Sequence, residues 1–218
     1  MTSSREKMPI AVLISGTGRT LKNLIDKINA GELDVEIRLV VSSSKNAFGL
    51  QYAEQAGIDV AIVESSNYGN REMFSEAVFE PCRLAGVRYV VMAGYLKLLK
   101  IPADMHNRVL NIHPSLIPSF CGKNMYGRLV HEQALNRGVK VSGCTVHFVD
   151  DHYDNGPILI QETVKVKSND TVESLSDRVL HEAEFVAYPR ALQLLAENRV
   201  EIVYTEGEER PRVVIKDE

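Results

Sequence analysis

Four uninterrupted apolar runs organise the first half of the chain: IAVLIS at 10–15, IRLVVSS at 37–43, YVVMAG at 89–94 and VLNIH at 109–113. A strand with one face in water alternates apolar and polar residues, whereas a strand covered on both faces has no such need. These runs therefore predict strands of a sheet with a layer on each side, and DVAIV at 59–63 fits as a shorter one. Between the runs the period changes. Leu21, Leu24, Ile25 and Ile28 recur at i, i+3, i+4 and i+7 and stop at Gly31, the pattern of an amphipathic helix. Residues 48–56, before Gly57, and 71–84, before Gly86, are helical in pattern too. Strand–helix alternation implies right-handed βαβ units, hence an α/β fold with a doubly wound, mostly parallel, Rossmann-like sheet and helices on both faces.

The second half changes character. Helix-like LVHEQALNRG (129–138) leads into VSGCTVHFVDD (141–151) and PILIQETVKV (157–166), separated by HYDNG, whose Asp-Asn-Gly is turn chemistry. These segments predict a partly antiparallel C-terminal extension of the sheet. Asp170 and Glu173 read as a capping box that opens a long helix with apolar Val172, Leu175, Val179 and Val186, kinked at Pro189. Residues 1–8 read as a flexible N-terminus, and 201–218 as a peripheral charged tail with short β-like pieces. With no repeat and no low-complexity linker, 1–218 is expected to form a single domain.

Composition narrows the function classes. No apolar run approaches the ~18 residues of a membrane span, and MTSSREKMP lacks the apolar stretch of a signal peptide. Cys82, Cys121 and Cys144 are widely spaced and odd in number, which points away from a disulfide framework or a zinc knuckle and towards a cytoplasmic location. A net charge of −4 argues against nucleic acid as the main partner, because phosphate-backbone binding calls for a basic face. A small anion held in a local basic pocket remains compatible with it.

Two stretches carry chemistry. The first strand runs into SGTGRTLKN (15–23), where Gly16 and Gly18 let backbone N–H groups turn towards a ligand at a helix N-terminus that favours phosphate. The third glycine of a dinucleotide fingerprint and the GxxxxGK[ST] of a P-loop are both missing, so a phosphomonoester fits better than NAD or ATP. The alternative is a tight βα turn without a ligand. The second stretch is VLNIHP. Asn111 and His113 share one face of a strand at its C-terminal end, where open α/β sheets place ligands, and Pro114 ends the strand. Asp154, in DDHYDNGP, is either a turn former or, if the turn folds back over the sheet end, a carboxylate partner for the imidazole. An amide, an imidazole and a carboxylate together suit an amine attacking a carbonyl carbon. His106, His131, His147, His152 and His181 show no metal-ligand spacing and read as surface or packing residues, and no metal is expected.

ISGTGRTL, AGYLKLL (93–99), LNIHPSLIPSF and SGCTVHFVDDHYDNGPILIQ (142–161) together resemble the folate-dependent formyltransferases, from about Pro9 to Val200. The resemblance implies transfer of a formyl group from 10-formyltetrahydrofolate, the co-substrate, to the primary amine of glycinamide ribonucleotide, by a monomer or homodimer. It implies Asn111, His113 and Asp154 as catalytic residues. It also implies Gly16, Thr17, Gly18, Arg19 and Thr20 as the phosphate turn and Glu184 as a further substrate contact. The folate pocket would draw on Arg71, Leu96, Lys97, Leu98, Leu99, Val149, Asp150, Asp151, His152 and Tyr153. Three departures stand out: Arg19-Thr20 where many members have Ser-Asn, a longer segment at 120–135, and Phe185 where His is usual. An amino-sugar nucleotide acceptor, hydrolysis of the folate, and a silent nucleotide- or folate-binding module are the alternatives. A tRNA acceptor is disfavoured by the acidic charge and by the lack of a basic C-terminal domain.

Overall fold

The computed structural model describes residues 7–207 and 210–216, so most of the expected flexible N-terminus and residues 208, 209, 217 and 218 of the tail lie outside the described residues. Seven strands, β1 (Met8–Ile14), β2 (Val35–Ser42), β3 (Asp59–Ile62), β4 (Tyr89–Met92), β5 (Val109–His113), β6 (Val141–Phe148) and β7 (Ile158–Lys165), form one sheet in the order β3-β2-β1-β4-β5-β6-β7. The first five run parallel; β6 is antiparallel to β5, and β7 to β6. The first strand begins with buried Met8, whose N–H donates to the Asp34 carbonyl at 3.0 Å, so residue 8, expected to belong to the N-terminal segment, is part of the sheet.

The unbroken apolar runs have a direct physical reason. In β1, Ile10, Val12 and Ile14 pack into one buried cluster, while Ala11 and Leu13 pack into a second on the opposite face. Helix α1 (Arg19–Asn29) covers the first face with Leu21, Leu24 and Ile25, and α3 (Arg71–Leu84) covers the second with Phe74, Val78 and Phe79. The short α2 (Leu50–Gln55) buries only Ala53. At the N-terminus of α3, the Asn70 side chain accepts from the Met73 N–H at 2.8 Å.

From β1 the chain steps outward to β2 and β3, then crosses back to β4 on the other side of β1. That reversal opens a crevice at the C-terminal ends of β1 and β4, the usual ligand position in such sheets. Helix α4 (Arg128–Arg137) follows the long loop after β5.

The C-terminal helical segment departs from the expected single helix. Its cap is Thr171, whose hydroxyl accepts from the Ser174 N–H at 3.2 Å while Ser174 Oγ accepts from the Thr171 N–H, one residue later than the expected Asp170–Glu173 box. Asp170 is instead clamped by both terminal nitrogens of Arg178 at 2.6 and 2.7 Å, which holds its carboxyl well below the usual range. Helix α5 (Val172–Arg178) passes through a π-helical turn at Val179–Glu184 into α6 (Phe185–Ala196). An extra residue in a turn rotates the remainder of the helix by about 100°. Val186, placed on the apolar face by an uninterrupted period, is therefore 49% exposed, while Ala187 and Tyr188 face the core. The carbonyl of Phe185, which Pro189 cannot satisfy, accepts from Asn23 Nδ2 at 3.2 Å. In the tail, β8 (Val200–Val203) and β9 (Arg212–Ile215) pair antiparallel as a separate sheet, with Val200, Ile202, Val213 and Ile215 against the core.

Candidate active site

The crevice is a cleft of about 680 Å³ lined from the ends of β1, β4 and β5, the segment 122–131, the loop after β6, and α5 with its π turn. At one end lies the turn from β1 into α1. Gly18 has φ 69°, and a Cβ there would fall 2.4 Å from Gly49 Cα, so only glycine fits where this turn touches the start of α2. Gly16, Thr17, Gly18, Arg19 and Thr20 all line the cleft, and the positive end of α1 opens onto it. Lys22 is turned to Asp26 at 2.6 Å and does not contribute to the lining.

Asn111 and His113 sit at the end of β5, opposite His147 and Thr145 of β6 in the antiparallel register. His113 is 4% exposed. Its Nε2 lies 2.8 Å from the Phe120 carbonyl, an obligate acceptor, and its Nδ1 lies 3.5 Å from Asp154 Oδ2. Both ring nitrogens thus face acceptors, an arrangement that an imidazolium satisfies.

Asp154 reaches this point because the β6–β7 loop folds back over the sheet end. It adopts φ 51°, a left-handed conformation that aspartate tolerates better than most side chains. Two residues on, a Cβ at Gly156 would meet the Phe148 carbonyl at 1.9 Å, so the loop hugs β6 only with glycine there. Asp154 Oδ2 accepts from the Gly122 N–H at 2.8 Å, which ties it to the segment after β5.

His147, read from sequence as a packing residue, belongs to this cluster. Its Nδ1 donates to the Phe148 carbonyl at 2.8 Å, and its Nε2 lies 3.2 Å from Asn111 Nδ2 and 3.8 Å from Asp154 Oδ1. Burial pushes its pKa below the ordinary value and keeps the ring neutral. A neutral ring protonated at Nδ1 accepts at Nε2, so Asn111 donates one amide hydrogen to His147 and keeps the second. Thr145, the other β6 residue on this face, donates to the Ser115 carbonyl at 2.7 Å and accepts from the Ile117 N–H at 3.0 Å, bracing the exit from β5. His131 of α4, also read as a packing residue, lines the cleft and is buried, which lowers its pKa to about 4. The signal for His147 and Thr145 was present as a second period-two polar pair, but only the register sets it against Asn111 and His113.

Glu184, in the π turn, lines the cleft, and burial raises its carboxyl to about 7 against the opposing pull of Arg19. The expected folate residues divide. Leu96, Lys97, Leu98, Leu99, Val149, His152 and Tyr153 line the cleft; Arg71, Asp150 and Asp151 do not. The two aspartates are consumed by local structure. Asp150 accepts from the His152 N–H at 2.9 Å and Asn155 Nδ2 at 2.7 Å, and Asp151 accepts from the Ile101 N–H at 3.0 Å. Arg71 opens α3. The longer 120–135 segment contributes Gly122, Asn124, Met125, Tyr126, Gly127, Arg128 and His131 to the wall.

A crevice at a switch point, lined by a phosphate-favouring turn and by a converging amide, imidazole and carboxylate, forms the candidate site of this α/β fold. Residues 8–192 match the formyl transferase family, and the chain belongs to that family. It is 44% identical over 198 residues to the trifunctional purine biosynthetic protein adenosine-3 of Gallus gallus, covering 90% of this chain and 19% of that protein. It is 37% identical to the chloroplastic phosphoribosylglycinamide formyltransferase of Arabidopsis thaliana, covering 88% of this chain and 66% of that one. The chain thus spans about a fifth of the length of the trifunctional relatives. Among solved structures, glycinamide ribonucleotide transformylase 1 from Symbiobacterium toebii superposes with a TM-score of 0.88 at 40% identity, covering 100% of this chain and 98% of that one.

Proposed function

We propose that the chain transfers the formyl group of 10-formyltetrahydrofolate to the primary amine of glycinamide ribonucleotide, a step of purine biosynthesis. One observation carries this reading: Asn111, His113 and Asp154 meet within hydrogen-bonding or ion-pairing reach of a common cluster, at the end of a cleft whose other end is the Gly16–Thr20 turn. The names of the relatives support the same acceptor and the same reaction.

In this reading the substrate's phosphate sits on the Gly16–Thr20 turn and Glu184 meets its ribose hydroxyls. The folate occupies the wall formed by Leu96–Leu99, Val149, His152 and Tyr153. The amine lone pair attacks the formyl carbon, and the carbonyl electrons move onto oxygen. The second Asn111 N–H and the positive charge of His113 meet that oxygen as it becomes an oxyanion. Asp154 holds the imidazolium and assists removal of the proton that the attacking nitrogen sheds. Collapse of the tetrahedral adduct breaks the bond to the folate nitrogen, which leaves with a proton. The products are the formamide and tetrahydrofolate, and no metal takes part. The chain acts on these small molecules as a single domain, monomeric or homodimeric, in the cytoplasm. Its three cysteines are free, as a reducing compartment keeps them. Among the described residues, no helix is long and apolar enough to cross a membrane.

The test offers the purified chain 10-formyltetrahydrofolate with glycinamide ribonucleotide, with tRNA, with an amino-sugar nucleotide, or with water alone. Loss of the formyl group is expected with the first acceptor only. Equal loss in water alone, or transfer to another acceptor in its place, overturns the reading.

A further inference from the structure

The phosphate end of the cleft already holds two ion pairs. Arg19, from the start of α1, lies 3.6 Å from Asp177, and Arg128, at the start of α4, is paired with Glu173. Glu173 and Asp177 are four residues apart on α5, so they stand one turn apart on the same side of that helix. All four side chains line the cleft. Both guanidiniums are thus already matched by a carboxylate before any ligand enters. Each pair is neutral as it stands, so a phosphate dianion gains little from these arginines unless the carboxylates give up their partners. Exposed pairs such as these, with side chains 51–66% accessible, are weakly held. A phosphate offers each guanidinium two oxygens in the geometry its fork prefers, together with a second negative charge.

We infer that Arg128 is a second phosphate-binding residue, beyond the Gly16–Thr20 turn, and that Glu173 and Asp177 are resting counter-ions that the acceptor's phosphate displaces from Arg128 and Arg19. The inference rests on the reading of the acceptor as a phosphomonoester. Arg128 belongs to the lengthened segment after β5, whose Gly127, at φ 56°, turns the chain into α4 and sets that guanidinium against α5. The lengthened segment thereby supplies charge to the phosphate. In the resting state the two carboxylates keep both arginines extended along the cleft wall. The affinity for the acceptor is then the difference between the phosphate pairs made and the carboxylate pairs given up.

Removing a competitor tightens binding, a gain that structural damage does not produce. With glycinamide ribonucleotide as the varied substrate, Glu173→Gln and Asp177→Asn should each lower the acceptor KM about threefold at unchanged kcat, as loss of a weak surface pair predicts. Arg128→Ala should raise that KM about tenfold, and Arg128→Lys, which keeps the charge but not the fork, should fall between. Glu182→Gln removes an exposed carboxylate outside the cleft lining and should leave KM where it is. Calorimetric titration with ribose 5-phosphate repeats the series without any transfer step. If the wild type binds ribose 5-phosphate and the variants shift in these directions, the inference stands, even where glycinamide ribonucleotide proves not to be the acceptor. Carboxylate variants that bind no more tightly, an Arg128→Ala protein with unchanged affinity, or a wild type that does not bind ribose 5-phosphate each overturn it.

Discussion

Glu184→Gln is expected to make the protein more stable at pH 8 and a poorer enzyme at once. The substitution keeps the shape of the side chain and removes its charge. In the folded chain burial raises this carboxyl from 4.5 to about 7, so the folded state binds the proton more tightly than the unfolded state does. Its contribution to stability is therefore fully present below pH 4.5 and is lost as pH rises through 7. One step in pKa is worth about 1.4 kcal/mol, which sets a ceiling of about 3 kcal/mol on that loss. Glu184 is only half-buried by accessible surface and faces a solvent-filled cleft, so about 1–2 kcal/mol is the working expectation. The glutamine variant has no such loss. Its stability advantage over the wild type should be near zero at pH 4.5, grow between pH 5 and 7, and level off above. Urea denaturation of both proteins at matched pH values reads the difference directly, because every other titrating group cancels. The acceptor KM should rise in the same variant. A constant offset across the pH range, or a variant less stable than the wild type at pH 8, would refute the reasoning.

Three further outcomes rest on particular contacts. His113→Ala or Asp154→Asn should lower the formyl-transfer rate by several orders of magnitude with the circular dichroism spectrum and melting temperature largely kept; wild-type turnover in either would remove the roles assigned to them. His147→Phe takes away the acceptor that orients the Asn111 amide and should cost about 10–100-fold in kcat, with little change in either KM, in steady-state assays. Tyr188, wholly buried, lies 3.0 and 3.1 Å from the Met92 and Leu110 carbonyls and ties α6 to β4 and β5, so Tyr188→Phe should destabilise the fold by about 1–2 kcal/mol in chemical denaturation while leaving the site chemistry in place.

Much of the architecture was legible because its causes are local. The apolar runs predict all seven strands of the main sheet to within a few residues; in β1, β4 and β5 burial on both faces leaves its mark on nearly every successive position, whereas edge strand β3 is largely exposed and β7 alternates. The shared face of Asn111 and His113 comes from a period of two, and the turn into α1 from two glycines. Where local signals competed, the reading slipped. Thr171 took the cap from Asp170 because the part-buried Arg178 claimed the aspartate, and the π turn carried Val186 out of the apolar face.

Other features were decided by contacts that no local period encodes. His147 faces Asn111 only through the β5–β6 register, a ladder of backbone hydrogen bonds between segments 36 residues apart. Asp154 meets His113 only because Gly156 lets the loop lie against β6 and the Gly122 N–H holds the carboxylate from the other side. The sequence by itself determined the strands, the helices, the phosphate-favouring turn and the aim of two polar side chains. The tertiary structure decided which groups those side chains meet, and which carboxylates stand against the arginines of the cleft. Propensity and periodicity act within a few residues, whereas a catalytic constellation is closed by hydrogen bonds across the fold.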